Sequence, residues 1–326
     1  MTDKKTAVVL FQLGGPDSLD AVEPFLYNLF MDPDIIDFPF AFLSRRPLAK
    51  FISRKRSLKV QENYKQIGGK SPILDLTHLQ ANELQRRLTQ LSIGSKVFIA
   101  MRYWHPMIEE VVNEIKASEF KEVILLPLYP QFSRATTNSS INEWNRQAKK
   151  HGLDISTLTV FCYPNHPALI EAFVASIYQT LKRFIGVAPE DIDLIFSAHG
   201  VPVSYIQKGD PYKLQVEETV QCVVNRGSWK SPHTLCYQSK VGPMEWLKPS
   251  LVETIERLAR ENRKNLLVIP ITFVTEHIET LYEISIEVRK HAMAYGIQQF
   301  EMMPALNDHP KFIECLVELV QTQLIS

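Results

Sequence analysis

The segment Thr275-Glu276-His277-Ile278-Glu279-Thr280-Leu281-Tyr282-Glu283, continuing to Glu287, follows directly on the apolar run 266–273. Read as a helix, Glu276, Glu279, Glu283 and Glu287 step by three, four and four, which sets four carboxylates on one face with His277 beside them. Oxygen ligands and an imidazole suit a divalent metal that is held moderately and released, and an imidazole also suits proton transfer. The preceding run reads as a buried strand, and open α/β sheets bind ligands beyond the carboxyl ends of their strands. A solvated acidic face would show the same spacing. A second histidine favours the chemical reading: His199, between Ala198 and Gly200, closes another apolar run.

Other chemistries lack their residues. Ser197-Ala198-His199 is no Gly-x-Ser-x-Gly elbow, which argues against acyl transfer. Gly14-Gly15 carries neither dinucleotide spacing nor a Walker lysine and reads as a tight turn, where glycine would also let a flat ligand approach the backbone. Tyr103, Trp104, Tyr129, Phe132, Trp246 and Phe273 fall at or just past strand ends and together suggest a pocket for a large flat ligand. Arg56, Arg102 and Ser71 could hold its anionic edge, Arg being the better carboxylate clamp.

These residues hang on a regular alternation. Apolar runs at 7–13, 96–102, 122–128, 157–162, 193–198, 234–238, 265–273 and, more weakly, 298–302 predict strands. Helical periodicity fills 71–91, 107–117, 139–151, 167–184, 211–226, 245–262 and 310–324 between and after them. The halves echo each other: 8–16 parallels 194–202, 97–106 parallels 234–243, and 121–127 parallels 264–270. The expectation is an α/β fold of two similar Rossmann-like lobes, 1–162 and 163–326, with parallel sheets flanked by helices and an active-site cleft between them. Where the first lobe has Leu13 the second has His199, so ionisable chemistry concentrates in the second.

Composition excludes several classes. Lys+Arg and Asp+Glu are both 36, so no overall field draws nucleic acid, although seven basic residues fall within 45–59. No apolar run approaches the ~20 residues of a spanning helix. The apolar stretch 7–11 is too short for a signal peptide and runs into Gly14-Gly15-Pro16. Cys162, Cys222, Cys236 and Cys315 are widely spaced, which predicts reduced thiols and a cytoplasmic setting.

The chain resembles the ferrochelatase family, whose members insert ferrous iron into protoporphyrin IX to make protohaem. The resemblance spans nearly the whole chain. It rests on Leu13-Gly-Gly-Pro16, Tyr64-x-x-Ile-Gly-Gly-x-Ser-Pro72, Met101-Arg-Tyr-x-His-Pro106 and Tyr129-Pro-Gln-x-Ser133 with Thr136-Thr137-x-Ser-Ser140. The second half adds Ser197-Ala-His-Gly200, Gly209-Asp-Pro-Tyr212, Gln238-Ser-Lys-Val-Gly-Pro-Met244 with Trp246, and His277-Ile-Glu-Thr-Leu-Tyr-Glu283. It implies that His199 and Glu279 form the catalytic pair, with His199, Glu279, Glu283 and Glu287 handling the metal. Leu13, Arg56, Tyr64, Ser71, Arg102, Tyr103, Val241, Trp246, Phe273 and His277 match substrate-binding positions. Stretch 38–51 matches a lip that meets the membrane surface, which implies a peripheral protein at the inner face of a membrane. Cluster-bearing members have a cysteine where this chain has Arg134, and the chain stops at Ser326, so no iron–sulfur cluster and no permanently bound cofactor are expected, with Fe²⁺ as substrate. A chelatase for cobalt or for sirohaem synthesis is the nearest competing enzyme, though those are typically His-rich at the metal. A non-catalytic haem or iron carrier would need neither the His199–Glu279 pair nor the acidic row.

Overall fold

The structure, a computed structural model, describes residues 5–35, 41–240 and 244–325, with side chains described outside 41–43. It divides into two compact units, Met1–Tyr163 with Ile313–Ser326, and Pro164–Phe312.

The first unit is built on four parallel strands, β1 (Thr6–Gln12), β2 (Ser95–Met101), β3 (Glu122–Pro127) and β4 (Ser156–Thr159), in the order β2-β1-β3-β4. Every residue of β1, sequence TAVVLFQ, is buried, because a central parallel strand has helices on both faces and no side exposed to water. Val9, Phe11, Phe98, Val111, Val112, Val123, Leu125 and Trp144 form the main core, with Phe11 and Trp144 rings 6.1 Å apart. Helices Val22–Met31, Ala41–Lys65 and Ile73–Gln90 connect β1 to β2.

The second unit repeats the plan with β5 (Ile192–His199), β6 (His233–Gln238), β7 (Asn265–Pro270) and β8 (Gln299–Met302), in the order β6-β5-β7-β8, all parallel. The sequence echo is therefore a repeat of topology. Val9 pairs with Leu125 as Ile195 pairs with Val268, which is the register the echo predicts. The β2/β6 echo is one residue out: Val9 faces Phe98, whereas Ile195 faces Thr234.

Strand ends differ modestly from the periodicity. The run 265–273 stops at Pro270, where the Phe273 amide turns back to the Pro270 carbonyl at 3.1 Å. The helix expected over 245–262 starts at Leu251, because Ser250 and Glu253 cap it reciprocally (Glu253 N to Ser250 Oγ 3.2 Å, Ser250 N to Glu253 Oε2 2.9 Å). The last helix, Pro310–Ile325, differs in membership: from Ile313 onward it belongs to the first unit, not the second as the 163–326 division assumes. Ile313, Cys315, Leu316 and Val320 are fully buried, and Glu314, Val317, Glu318 and Gln321 share a cavity of about 300 Å³ with Arg87, Gln90 and Leu91. That apolar stripe is buried with the first unit, 150 residues back along the chain, which sequence order cannot reveal. Among the described residues no helix is long and apolar enough to cross a membrane.

Candidate active site

His199 is the last residue of β5, and both of its backbone groups are fixed. Its N–H donates to Thr272 Oγ1 at 3.1 Å, and its carbonyl accepts from the Tyr212 hydroxyl at 2.9 Å. Gly200 follows, its N–H on the Gln238 carbonyl at 2.7 Å. A side chain there would lie 2.9 Å from that carbonyl oxygen and 3.2 Å from Trp246 Cε3, so only glycine lets the strand end pass. The His199 ring meets Phe273 edge-on, centroids 6.1 Å apart.

Nδ1 of His199 lies 3.0 Å from Glu279 Oε2. A carboxylate only accepts, so Nδ1 carries the hydrogen and the Nε2 lone pair faces away from the pair. The two side chains keep 35% and 28% of their surface exposed, so the pair is reachable from outside. Burial works against a charged imidazole, yet the Glu279 carboxylate, helped by Glu283, raises the His199 pKa above its ordinary 6.5. Burial likewise opposes ionisation of Glu279, and His199 and His277 override it to hold this carboxyl well below the usual range.

Glu279 opens a π-helix, Glu279–Val288, in which i→i+5 hydrogen bonds widen the coil; such segments recur at functional sites. Glu283 lies within it. The Ser239 hydroxyl donates to Glu283 Oε2 at 2.7 Å and the Gln238 amide approaches the same oxygen at 3.5 Å. Burial first, and the charge of Glu279 second, raise the pKa of Glu283, so adjacent acids differ in their hold on a proton. Glu287 is exposed. His277 stands before the helix, not inside it: its Nδ1 donates to the Thr275 carbonyl at 3.1 Å, and Nε2 points at Glu279 Oε2 from 3.5 Å. Phe273 packs on that ring at 4.7 Å.

The predicted row of four carboxylates is a row of three. Glu276 precedes the π-helix, is buried, and takes the Ala305 N–H at 2.9 Å and the Thr280 hydroxyl, so it serves the fold. Among the described residues no group of three or more His, Cys, Asp or Glu converges as a ready metal cage.

In the first unit the predicted residues separate into different roles. Leu13 packs against the β1–β3 core. Gly14, with φ +84°, lies so that a side chain would meet Met101 Cβ and Trp104 N at 3.1 Å, and one on Gly15 would stand 2.5 Å from Ser71 Oγ. The turn is filled by protein. Ser71 is buried and its N–H donates to the Pro16 carbonyl at 2.8 Å. Tyr64 is buried, while Arg56 is exposed, its guanidinium over the Phe30 ring at 5.7 Å. Val241 lies outside the described residues.

Arg102 and Tyr103 are engaged within the fold. Arg102 Nη2 is 3.1 Å from Asp32 Oδ2 and its Nε donates to Ser139 Oγ at 2.8 Å, leaving the side chain 9% exposed. Tyr103 donates to the same Asp32 oxygen at 2.6 Å, as does Ser139. Burial, then the Asp32 charge, pushes the Tyr103 phenol far up. Neither side chain is placed as an open clamp. Asp32 is the residue the sequence reading missed, since Met-Asp-Pro-Asp reads as a surface turn. Gln238, Ser239, Tyr212 and Thr272 also went unassigned, although the first three sit inside the quoted motifs.

Comparison with known proteins follows the same outline. The Ferrochelatase family model matches residues 5–324. A ferrochelatase of Trichodesmium erythraeum is 44% identical over 325 residues, covering 98% of this chain and 83% of that protein. One of Citrifermentans bemidjiense is 45% identical over 318 residues, covering 98% of both. Among solved structures, SirB from Bacillus subtilis with Fe³⁺ superposes with a TM-score of 0.55 at 13% identity, covering 98% of this chain and 95% of that one. A multi-domain Deinococcus radiodurans protein with structural similarity to chelatases gives 0.53 at 14%, covering 97% and 55%. At such identities the two structures speak for the fold alone.

Proposed function

We propose, for a chain that belongs to the ferrochelatase family and is an enzyme inserting iron into porphyrin in haem biosynthesis, that protoporphyrin IX is the macrocycle and that His199 takes its pyrrole protons. One observation carries the assignment: Nδ1 of His199 donates to Glu279 at a strand end, which leaves Nε2 as the free base. Metallation removes two pyrrole protons and trades the iron's water for ring nitrogens. A general base with pKa near working pH serves the first task. Glu279 fixes the tautomer and stabilises the imidazolium as it forms, and it offers iron an oxygen ligand. Glu283 and Glu287 extend that offer along the helix. Oxygen and imidazole ligands bind Fe²⁺ less firmly than thiolates, so a row lacking a complete cage suits a metal that passes through. Phe273 and His277, packed beside the His199 ring, and Trp246, beside Gly200, would face the macrocycle.

The test is anaerobic incubation with Fe²⁺ and protoporphyrin IX, following loss of the free-base spectrum. His199→Ala should lower turnover by roughly 10²–10⁴-fold while porphyrin binding, read by fluorescence quenching, persists. Near-wild-type turnover in that variant would remove His199 from the mechanism.

The chain is read as working without an iron–sulfur cluster. Arg134 occupies the position of a cluster cysteine, Cys236 and Cys315 are buried, and burial pushes the Cys236 thiol up to about 12, far from the thiolate a cluster requires. Peripheral contact with an anionic cytoplasmic membrane face is supported by helix Ala41–Lys65, which exposes Leu48, Phe51 and Leu58 among Arg46, Lys50, Arg54, Lys55 and Lys59. Residues 38–40 of the expected lip lie outside the described residues.

A further inference from the structure

We propose that Gln238 is a positioning residue for the metal: its side-chain amide locks the start of the π-helix to the strand carrying His199, and so fixes where the Glu279 and Glu283 carboxylates stand. This rests on reading the acidic row as the path of iron.

Gln238 ends β6 and is 6% exposed. It reaches β5 on both sides of His199. Its Oε1 accepts from Ser197 Oγ at 2.8 Å, and its backbone carbonyl accepts from Gly200 N at 2.7 Å. With the oxygen end of the amide held by Ser197, the nitrogen end faces the π-helix. There Nε2 donates to the Glu279 carbonyl at 3.3 Å and to Glu283 Oε2 at 3.5 Å. One side chain thus spans from the strand of the base to the backbone of Glu279 and the carboxylate of Glu283.

The next residue supports the reading. Ser239 has φ +65°, a left-handed conformation uncommon for serine, and its hydroxyl donates to the same Glu283 oxygen at 2.7 Å. Two consecutive residues therefore grip one carboxylate oxygen. Both are neutral donors. A lysine or arginine would hold Glu283 as firmly but would cancel the charge a cation needs, whereas an amide and a hydroxyl orient the carboxylate and leave its charge in place. A glutamine serving only to fill the core would need partners but not these partners.

Three variants test this. Gln238→Met keeps length and removes the donor, Gln238→Glu turns the donor into an acceptor facing Glu283, and Ser197→Ala frees the amide to rotate. KM for Fe²⁺ and for porphyrin would be measured anaerobically, with porphyrin fluorescence quenching as a direct binding readout and thermal unfolding as the check on folding. Apparent KM for iron should rise roughly tenfold in the Gln238 variants and by less in Ser197→Ala, with porphyrin KM and binding within about twofold. An unchanged iron KM in folded Gln238→Met, or equal rises in both KM values, would overturn the proposal. Glu283→Gln separates the layers. If it raises the iron KM while the Gln238 variants do not, only the positioning role fails; if it too leaves the iron KM unchanged, the acidic row is not the iron path.

Discussion

Oε2 of Glu279 stands 3.0 Å from Nδ1 of His199 across 80 residues of sequence, with the charge of each raising the other's tendency to ionise. An imidazole so held is a stronger base than a free one.

The pH profile follows with a definite sign. His199 accepts a proton only when neutral, and its pKa is raised above 6.5, so kcat/KM for porphyrin should climb through an acidic limb centred above 6.5. Glu279→Gln should move that limb to lower pH as well as lowering the plateau. The same shifts bear on stability. The His199 contribution is complete below 6.5 and fades as pH rises through the folded value, while that of Glu279 is complete above 4.5 and fades on acidification. Denaturant midpoints of wild type should exceed those of Glu279→Gln most clearly between those two values. A limb that stays in place in Glu279→Gln would contradict the assigned partner.

Glu287 is the exposed end of the row, so its removal should be felt by iron and not by the macrocycle. In Glu287→Gln the apparent KM for Fe²⁺ should rise by roughly two- to fivefold, with porphyrin KM unaltered. A change confined to porphyrin would exclude a metal path along the helix.

Asp32 gathers Arg102, Tyr103 and Ser139 around a carboxylate 1% exposed. Asp32→Ala leaves Arg102 buried with Glu143, at 3.8 Å, as its remaining acid among the described residues, and should cost about 3–5 kcal/mol. That corresponds to a fall in Tm on the order of 10 °C, with a smaller fall in Asp32→Asn, which keeps an acceptor. Differential scanning calorimetry of the two variants decides the point.

The surface of helix Ala41–Lys65 should bind anionic vesicles at low salt and release them at high salt. Neutralising Arg46, Lys50 and Lys55 together should abolish pelleting. Arg45 is left out because its Nη1 donates to the Asp32 carbonyl at 3.1 Å and its loss would disturb the fold. Equal pelleting of wild type and variant would count against a lipid surface.

What could be read in the sequence is what depends on short range. Strands such as β1 and β7 are continuous apolar runs because both faces are covered, and His199 and Glu279 stood out by closing or following such runs. Helix Ala41–Lys65 was invisible because Leu48, Phe51 and Leu58 face outward, so no stripe marks a core side. Asp32 was invisible because its burial is decided by partners 71 and 107 residues away. Glu276 obeyed the spacing of the acidic row, yet the Ala305 amide, 29 residues on, took its carboxylate.

The last helix bears on the order of assembly. Since the chain leaves the first unit at Tyr163 and returns to it at Ile313, the second unit is an insertion within the first. A nascent chain can therefore complete the His199 unit while the earlier one still lacks the helix that buries Ile313, Cys315 and Leu316. Of the two units, the one made first would be the one that finishes folding last, and its uncovered apolar face would be open to chaperones for the whole time the ribosome makes residues 164–312.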